Sequence, residues 1–139
     1  MSEHCVALFG TRNEDNLNRT YRLCAWFGVA QLAVVGSRAR IRGNVFSAAG
    51  QVEIVYLATV DDFLGWWSGS ILVAALRGGH PPGDVQIAGP TAFCFGSEID
   101  PVPGDVTRVA DARITIPQLG RAPCLTADQA AAIVLYASL

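Results

Sequence analysis

Residues 16–29 decide the fold, and they read N-L-N-R-T-Y-R-L-C-A-W-F-G-V. This pattern predicts a helix with a polar start and one apolar face. The apolar positions at helical spacing are Leu17, Tyr21, Cys24 and Ala25. Asn16 is a candidate N-cap because a short polar side chain can accept the unpaired N–H groups of the first turn. Gly28 suits the left-handed residue that ends a helix.

Two later segments complete the pattern. Residues 93–98 read F-C-F-G-S-E, an apolar strand that runs directly into a polar turn. Residues 116–120 read I-P-Q-L-G and residues 124–126 read C-L-T, ahead of an alanine-rich helix predicted over 126–139. Thr126, with Gln129 three residues later, predicts a capping box at the start of that helix.

Strand-like apolar runs alternate with helical patterns, which predicts an α/β domain with a mainly parallel sheet flanked by helices. The predicted strands are residues 5–9, 32–35, 52–58, 71–76, 92–95 and 113–116. A short helix is predicted over 61–67 and a loop over 77–90. Pro101, Pro103 and Gly104 predict no regular structure over 99–105.

The 139 residues are 51% apolar, which predicts one compact domain spanning 1–139. No apolar run approaches the roughly 20 residues that span a bilayer. Residues 1–10 lack the basic head and long apolar stretch of a secretory signal. We therefore expect a cytoplasmic protein without a membrane segment.

Several function classes have little support in the sequence. The four cysteines form no C-x-x-C pair, so neither a zinc site nor a disulfide framework is indicated. No G-x-G-x-x-G follows the first strand and no P-loop occurs. His4 and His80 lie in no recognisable nucleophile motif. We expect no metal and no acyl-transfer chemistry.

The arginines are concentrated at the start of the chain. Over residues 1–42 they exceed the acidic residues by three, and the positions are Arg12, Arg19, Arg22, Arg38, Arg40 and Arg42. A planar guanidinium can bind two phosphate oxygens at once, so this surface is a candidate phosphate contact. A solvated charged face is the alternative. The net charge of −2 argues against tight, sequence-blind nucleic-acid binding.

In this order and separation the three segments resemble the three motifs of the SpoU (TrmH-like) family of RNA methyltransferases, within the SPOUT superfamily. The resemblance covers nearly the whole chain. It implies an α/β-knot fold, in which the C-terminal part is threaded into a deep trefoil knot. It further implies S-adenosyl-L-methionine as cofactor, RNA (in particular tRNA) as substrate, 2′-O-ribose methylation as the reaction, and a homodimer.

The family motifs also imply roles for individual residues. Arg22 matches the arginine that activates the ribose 2′-hydroxyl, while Asn16 and Glu98 match the other polar motif residues and would support it, Glu98 by pairing with Arg22. The implied cofactor residues are Leu76, Gly96, Ile116, Leu119, Gly120 and Leu125. Arg12, Arg19 and Thr126 are further candidates for substrate contact. The apolar end 130–139 and the aromatic face of Trp26 and Phe27 are candidate dimer surfaces; helix packing within one subunit is the alternative use of the same residues.

The third motif departs from the family pattern, and so does Pro101, which replaces a glycine. Where S-L-N is common, this chain has Cys124, Leu125 and Thr126, and Asp128 replaces a serine. A carboxylate near a helix N-terminus favours the dipole but is unhelpful beside an RNA phosphate. The alternative hypothesis is therefore a catalytically degenerate SpoU-like domain that binds nucleotide or RNA or serves in assembly. An unrelated, unknotted α/β domain is a third possibility.

Overall fold

The fold is built on one sheet of six parallel strands. It is known from a computed structural model that describes residues 3–42 and 52–139. The strands are β1 (Cys5–Phe9), β2 (Gln31–Val35), β3 (Glu53–Leu57), β4 (Ser70–Ala74), β5 (Thr91–Phe95) and β6 (Ala112–Ile114). Their order across the sheet is β3-β2-β1-β5-β4-β6. The predicted parallel sheet is confirmed, with strand ends displaced by one or two residues.

Burial follows position in the sheet. All residues of the central strands β1 and β5 are buried, because helices cover both faces there. In the edge strand β3 no residue is fully buried. Alternate residues of β1 point to opposite faces, so Val6 and Leu8 pack on one side and Cys5, Ala7 and Phe9 on the other.

The first face is covered by α1 (Glu14–Phe27) and α4 (Ala127–Ser138), which pack against each other. Leu17, Tyr21 and Cys24 of α1 are buried, as the helical spacing predicts. Gly28 ends α1 with φ of 70° in the left-handed region, also as predicted. The capping box of Thr126 and Gln129 starts α4, where the Thr126 N–H donates to Gln129 Oε1 at 3.1 Å.

The N-cap of α1 differs from the prediction. Asn13 caps the helix, and its side chain accepts the Asn16 N–H at 3.0 Å. Asn16 lies inside the first turn instead. The candidate cap was wrong because a second asparagine three residues earlier satisfies the same donors. The Asn16 side chain is thereby free to form other bonds.

The second face is covered by α2 (Val60–Trp66) and α3 (Gly104–Val109). The predicted helix over 61–67 is confirmed, with Thr59 as its N-cap. Helix α3 begins at Gly104, so the prediction of no regular structure over 99–105 is wrong for its last two residues. Pro103 precedes the first helical residue, where its fixed φ and missing N–H are compatible with a helix start. Proline therefore starts this element instead of excluding it.

The segment after β4 encloses the end of β6. The Ala75 N–H donates to Ile114 O at 2.9 Å on the β4 side of the strand. On the opposite edge, the His80 N–H donates to Arg113 O and the Thr115 N–H donates to His80 O, each at 2.9 Å. Residues 75–80 therefore run from one edge of β6 to the other. The predicted loop over 77–90 is otherwise confirmed.

Within residues 3–42 and 52–139, no helix is long and apolar enough to cross a membrane.

Candidate functional site

Three neighbouring strands end beside residues that the sequence singled out. Leu76 follows β4, Gly96 follows β5 and Ile116 follows β6. Because these strands are parallel and adjacent, their carboxyl ends lie along one edge of the sheet. Ligands of open α/β sheets bind beyond the carboxyl ends of strands. The fold therefore brings these three candidates to one edge.

A chain of polar side chains lies at this edge. The Asn16 Nδ2 group donates a hydrogen bond to Glu98 Oε1, and the Asn16 Oδ1 atom accepts one from Arg19 Nη2. Arg19 Nε in turn donates to Asp128 Oδ2 at 3.0 Å. Four residues from all three sequence motifs are thus connected. Asn16, with 3% of its surface exposed, is the buried centre of this chain of polar side chains.

Local structure explains this geometry. Asn16 and Arg19 are three residues apart on α1, so their side chains share one face of the helix. Glu98 is carried by a turn in which Ser97 Oγ accepts the N–H groups of Ile99 and Asp100 at 3.3 and 3.0 Å. The Ser97 N–H donates to Asp100 O at 2.9 Å, which closes the turn.

Gly96 allows this turn to approach β5. A Cβ atom at position 96 would lie 2.5 Å from Asp100 O, 2.7 Å from the Pro101 carbonyl carbon and 2.8 Å from Val102 N. All three are backbone atoms, so no side-chain rotation relieves the overlap. The structure thus gives Gly96 a packing role in placing Glu98.

Two surface depressions adjoin this chain of polar side chains. The smaller, of about 240 Å³, is lined by Thr11, Arg12, Asn13, Asn16, Ser97, Glu98, Ile99 and Ala127. The larger is open, with a volume of about 610 Å³, and is lined by Arg12, Asn13, Glu14, Asp15, Arg38, Ala39 and Arg42. Arg12 lines both, so a ligand that spans the two would pass this guanidinium.

The remaining cofactor candidates lie in the connection between β6 and α4. Residues 115–126 belong to no helix or strand. Leu119 is fully exposed, Leu125 is 43% exposed and Leu76 is 65% exposed, whereas Ile116 packs partly against the core. Gly120 is exposed, and a Cβ atom there would meet no atom within 4 Å. The candidates therefore present apolar surface to solvent.

Arg22 is exposed on α1, one turn beyond Arg19. The expected pair of Glu98 with Arg22 is not among the ion pairs that the described residues form with each other. Those pairs are Arg19–Asp128, Arg42–Glu14 and Arg108–Asp105. Glu98 is instead held by Asn16.

Sequence reasoning missed the Arg19–Asp128 contact. The two residues are 109 positions apart, and no spacing rule relates them. Asp128 is 9% exposed and faces an arginine, so its charge is compensated within the protein. The Asp128 carboxylate is therefore bound by an arginine of the same chain. Arg19 keeps a half-exposed side chain, and its contact with substrate stays a prediction.

The cysteines divide into two groups. Burial raises the pKa of the Cys5 thiol to about 12. The same desolvation raises the pKa values of Cys24 and Cys94 well above their ordinary range. These three are core residues and poor nucleophiles. Cys124 is exposed.

Among the residues that the structure describes, no three His, Cys, Asp or Glu side chains are grouped to hold a metal.

The fold and its polar edge define the chain as a parallel α/β domain with a candidate ligand site at the carboxyl ends of β4, β5 and β6. The model of the SpoU rRNA Methylase family matches residues 3–136, and the chain belongs to this family. No curated protein sequence matches it.

Several solved structures have a similar fold. The chain is similar to the TrmH/SpoU tRNA modifying enzyme of A. aeolicus, with 24% identity and a TM-score of 0.83 over 99% of this chain and 74% of that one. An AdoMet-bound rRNA methyltransferase from Sinorhizobium meliloti gives 24% identity and a TM-score of 0.84 over 96% of this chain. This chain spans only 54% of the length of that protein. A third structure, concerned with 2-OH methylation of C/U34 on tRNA, gives 17% identity and a TM-score of 0.79 over 97% of this chain and 94% of that one.

Proposed function

We propose that this protein is an S-adenosyl-L-methionine-dependent RNA 2′-O-ribose methyltransferase that acts on tRNA. The observation that carries the proposal is the bonded pair of Asn16 and Glu98. It joins the first and second motifs beside a cleft, at the edge where the third motif lies. Family membership supplies the reaction class.

The residues beyond β4 and β6 fit an adenosine-bearing cofactor. Leu76, Leu119 and Leu125 offer apolar surface that a purine ring would cover. The connection over 115–126 lies outside regular structure, so its backbone groups are suited to a ligand. Gly120 leaves open space beside its Cα. These residues would hold the cofactor, whose sulfonium group supplies an electrophilic methyl group when bound. AdoMet in the Sinorhizobium structure supports this choice.

Arg22 is proposed to orient the ribose hydroxyl. A guanidinium keeps its proton far above neutral pH, so it acts more easily as a donor to the hydroxyl or a neighbouring phosphate than as a base. Placement of the oxygen in line with the methyl carbon lowers the barrier by several kcal/mol, and by roughly 7–11 kcal/mol in the best intramolecular cases. Asn16 and Glu98 would fix the wall of the cleft in which the hydroxyl lies.

The knotted path of the family is proposed for this chain as well. Residues 75–80 bind both edges of β6, and these bonds support a path in which the chain that continues into 115–126 passes through their loop. A carbon at Gly79 would lie 2.8 Å from the Arg113 carbonyl, which makes this enclosure close-fitting. This arrangement supports a threaded C-terminal segment.

A homodimer is proposed from the exposed apolar residues of the two packed helices. On α1, Trp26 is 83% exposed, and on α4, Tyr136 is 80% and Ile133 41% exposed. Large aromatic residues are enriched in protein interfaces. Light scattering of the native protein and of a Trp26→Ala, Tyr136→Ala double variant tests the dimer. We expect the double variant to be monomeric and folded.

The activity is tested by mass spectrometry of ribose-methylated nucleosides in tRNA and rRNA from cells with and without this gene. We expect one 2′-O-methylnucleoside of tRNA to disappear with the gene and to return with the native protein. Arg22→Ala should not restore it. A matched control is Arg108→Ala on α3, an exposed arginine on the other face of the sheet.

Purified protein gives the second arm of the test. Arg22→Ala should abolish methyl transfer while its affinity for S-adenosyl-L-methionine stays within a few-fold of the native value. Near-normal turnover in that variant would contradict the proposed role of Arg22 in orienting the ribose hydroxyl. An unchanged set of ribose-methylated nucleosides in the deletion strain would contradict the proposed function itself.

A further inference from the structure

The contact between Arg19 and Asp128 joins the two parts of the chain that carry the candidate site. Arg19 lies on α1, three residues after Asn16, whereas Asp128 lies in the first turn of α4, directly after the connection over 115–126. One guanidinium makes both links, because its Nε donates to Asp128 Oδ2 at 3.0 Å and its Nη2 donates to Asn16 Oδ1. The contact therefore spans from the third motif to the first.

The burial of Asp128 makes this contact consequential. Its side chain is 11% exposed, and its Oδ1 atom is buried without a hydrogen-bond partner among the described residues. A buried carboxylate requires compensation, and the Arg19 Nε–H is the charged donor that provides it. Asp128 thus depends on the position of Arg19, and Arg19 is bound in turn to the first turn of α4.

The second link passes from Arg19 to the site. Asn16 has one amide, whose oxygen accepts from Arg19 while its nitrogen donates to Glu98. The carboxylate of Glu98 only accepts hydrogen bonds and the guanidinium of Arg19 only donates them, so both partners favour the same orientation of the amide. Without the bond from Arg19, the amide loses one of these two anchors and its position is less well defined.

We propose that Arg19 and Asp128 are positioning residues, which hold the Asn16–Glu98 pair in place relative to the connection over 115–126. This role rests on the proposed function, and it concerns residues that the family motifs do not assign to it. It also explains why aspartate at position 128 is compatible with an active site. The negative charge serves the protein's own arginine and does not face the substrate.

The guanidinium geometry predicts which substitutions fail. Arg19→Lys keeps the positive charge but has one nitrogen, which cannot reproduce two bonds from a planar fork. Asp128→Asn keeps the shape and removes the charge. We expect each to lower kcat for methyl transfer by about 10- to 100-fold, because a small misplacement of a reacting group has effects of this size. KM for RNA and the Kd for S-adenosyl-L-methionine should change less than about threefold.

The test combines kinetics with the side-chain amide resonances of Asn16. The native protein, the two single variants and the double variant are compared, with Arg108→Lys and Asp105→Asn as a control pair that is exposed on α3. If the residues act as a unit, the double variant loses no more kcat than the worse single variant. The Asn16 amide protons should move toward solvent-exposed values in all three variants and stay unchanged in the control pair.

The outcomes separate this role from the proposed function. Unchanged Asn16 resonances in Asp128→Asn and Arg19→Lys would overturn the positioning role, whatever the kinetics. Activity that falls only in proportion to the folded fraction, with additive effects, would overturn it too. If the native protein transfers no methyl group while the Asn16 resonances respond as expected, the positioning role stands and the proposed function fails.

Discussion

Substitution of Gly96 by alanine tests how the fold positions Glu98. The added Cβ would lie 2.5, 2.7 and 2.8 Å from three backbone atoms of residues 100–102. Apart from atoms of its own and adjacent residues, a real Cβ atom essentially never has a heavy atom within 3.0 Å, so the backbone of this turn must shift. Val102, at the end of this contact, is 5% exposed and packs in the core, which limits the movement.

The expected loss of folding stability follows from overpacking. Forcing one extra carbon against a packed backbone destabilises by about 1–3 kcal/mol. For a domain of this size, that corresponds to a melting temperature lower by roughly 3–10 °C. Since Glu98 belongs to the same turn, its bond to Asn16 should lengthen, and methyl transfer should fall more than stability alone explains.

Gly120→Ala is the matched control. A Cβ atom there meets nothing within 4 Å, and Gly120 is not among the glycines with positive φ. Alanine also reduces the entropy of the unfolded chain, an effect of about 0.4–1 kcal/mol at compatible sites. Differential scanning calorimetry of both variants should therefore show a lower melting temperature only for Gly96→Ala. Equal melting temperatures in the two variants would refute the packing argument.

Three further results are expected. Leu119→Ala should leave the free energy of unfolding within about 0.5 kcal/mol of native, because the side chain is fully exposed. The same change should weaken S-adenosyl-L-methionine binding roughly tenfold by calorimetry, and unchanged affinity would remove Leu119 from the cofactor site. A thiol reagent should modify Cys124 rapidly and the three buried cysteines only after unfolding; fast labelling of more than one thiol would contradict their burial. His4 Nδ1 accepts the Thr91 N–H at 3.2 Å, and desolvation lowers the pKa of His4 below 6.5. The unfolded chain therefore binds this proton more tightly, so stability should fall as the pH drops below 6.5, and urea unfolding of His4→Gln should show a smaller fall.

The sheet was predictable because apolar runs and helical spacing are local signals. Residues 5–9 form a strand whose residues are all buried, and Gly28 ends its helix in the predicted conformation. Two local predictions were wrong because the sequence is compatible with two local structures at each place. Asn13 and Asn16 both suit a cap, and Pro103 reads equally as a breaker or a helix start.

The candidate site was predictable only as a set of residues, not as a geometry. The motifs named Asn16 and Glu98, and the fold brings them into contact across 82 positions. The Arg19–Asp128 pair had no sequence signal, because an ion pair between distant residues follows from helix packing and not from spacing. The enclosure of β6 by residues 75–80 likewise depends on which edges of the strand are bonded.

The most direct test of the central claim is a titration of the native protein with S-adenosyl-L-methionine, followed by amide chemical shifts. The account predicts saturable binding, with the largest changes at Leu76, Gly96 and residues 115–126. Glu53–Leu57, at the far edge of the sheet, should not respond. No binding at millimolar cofactor, or changes confined to other parts of the chain, would contradict it.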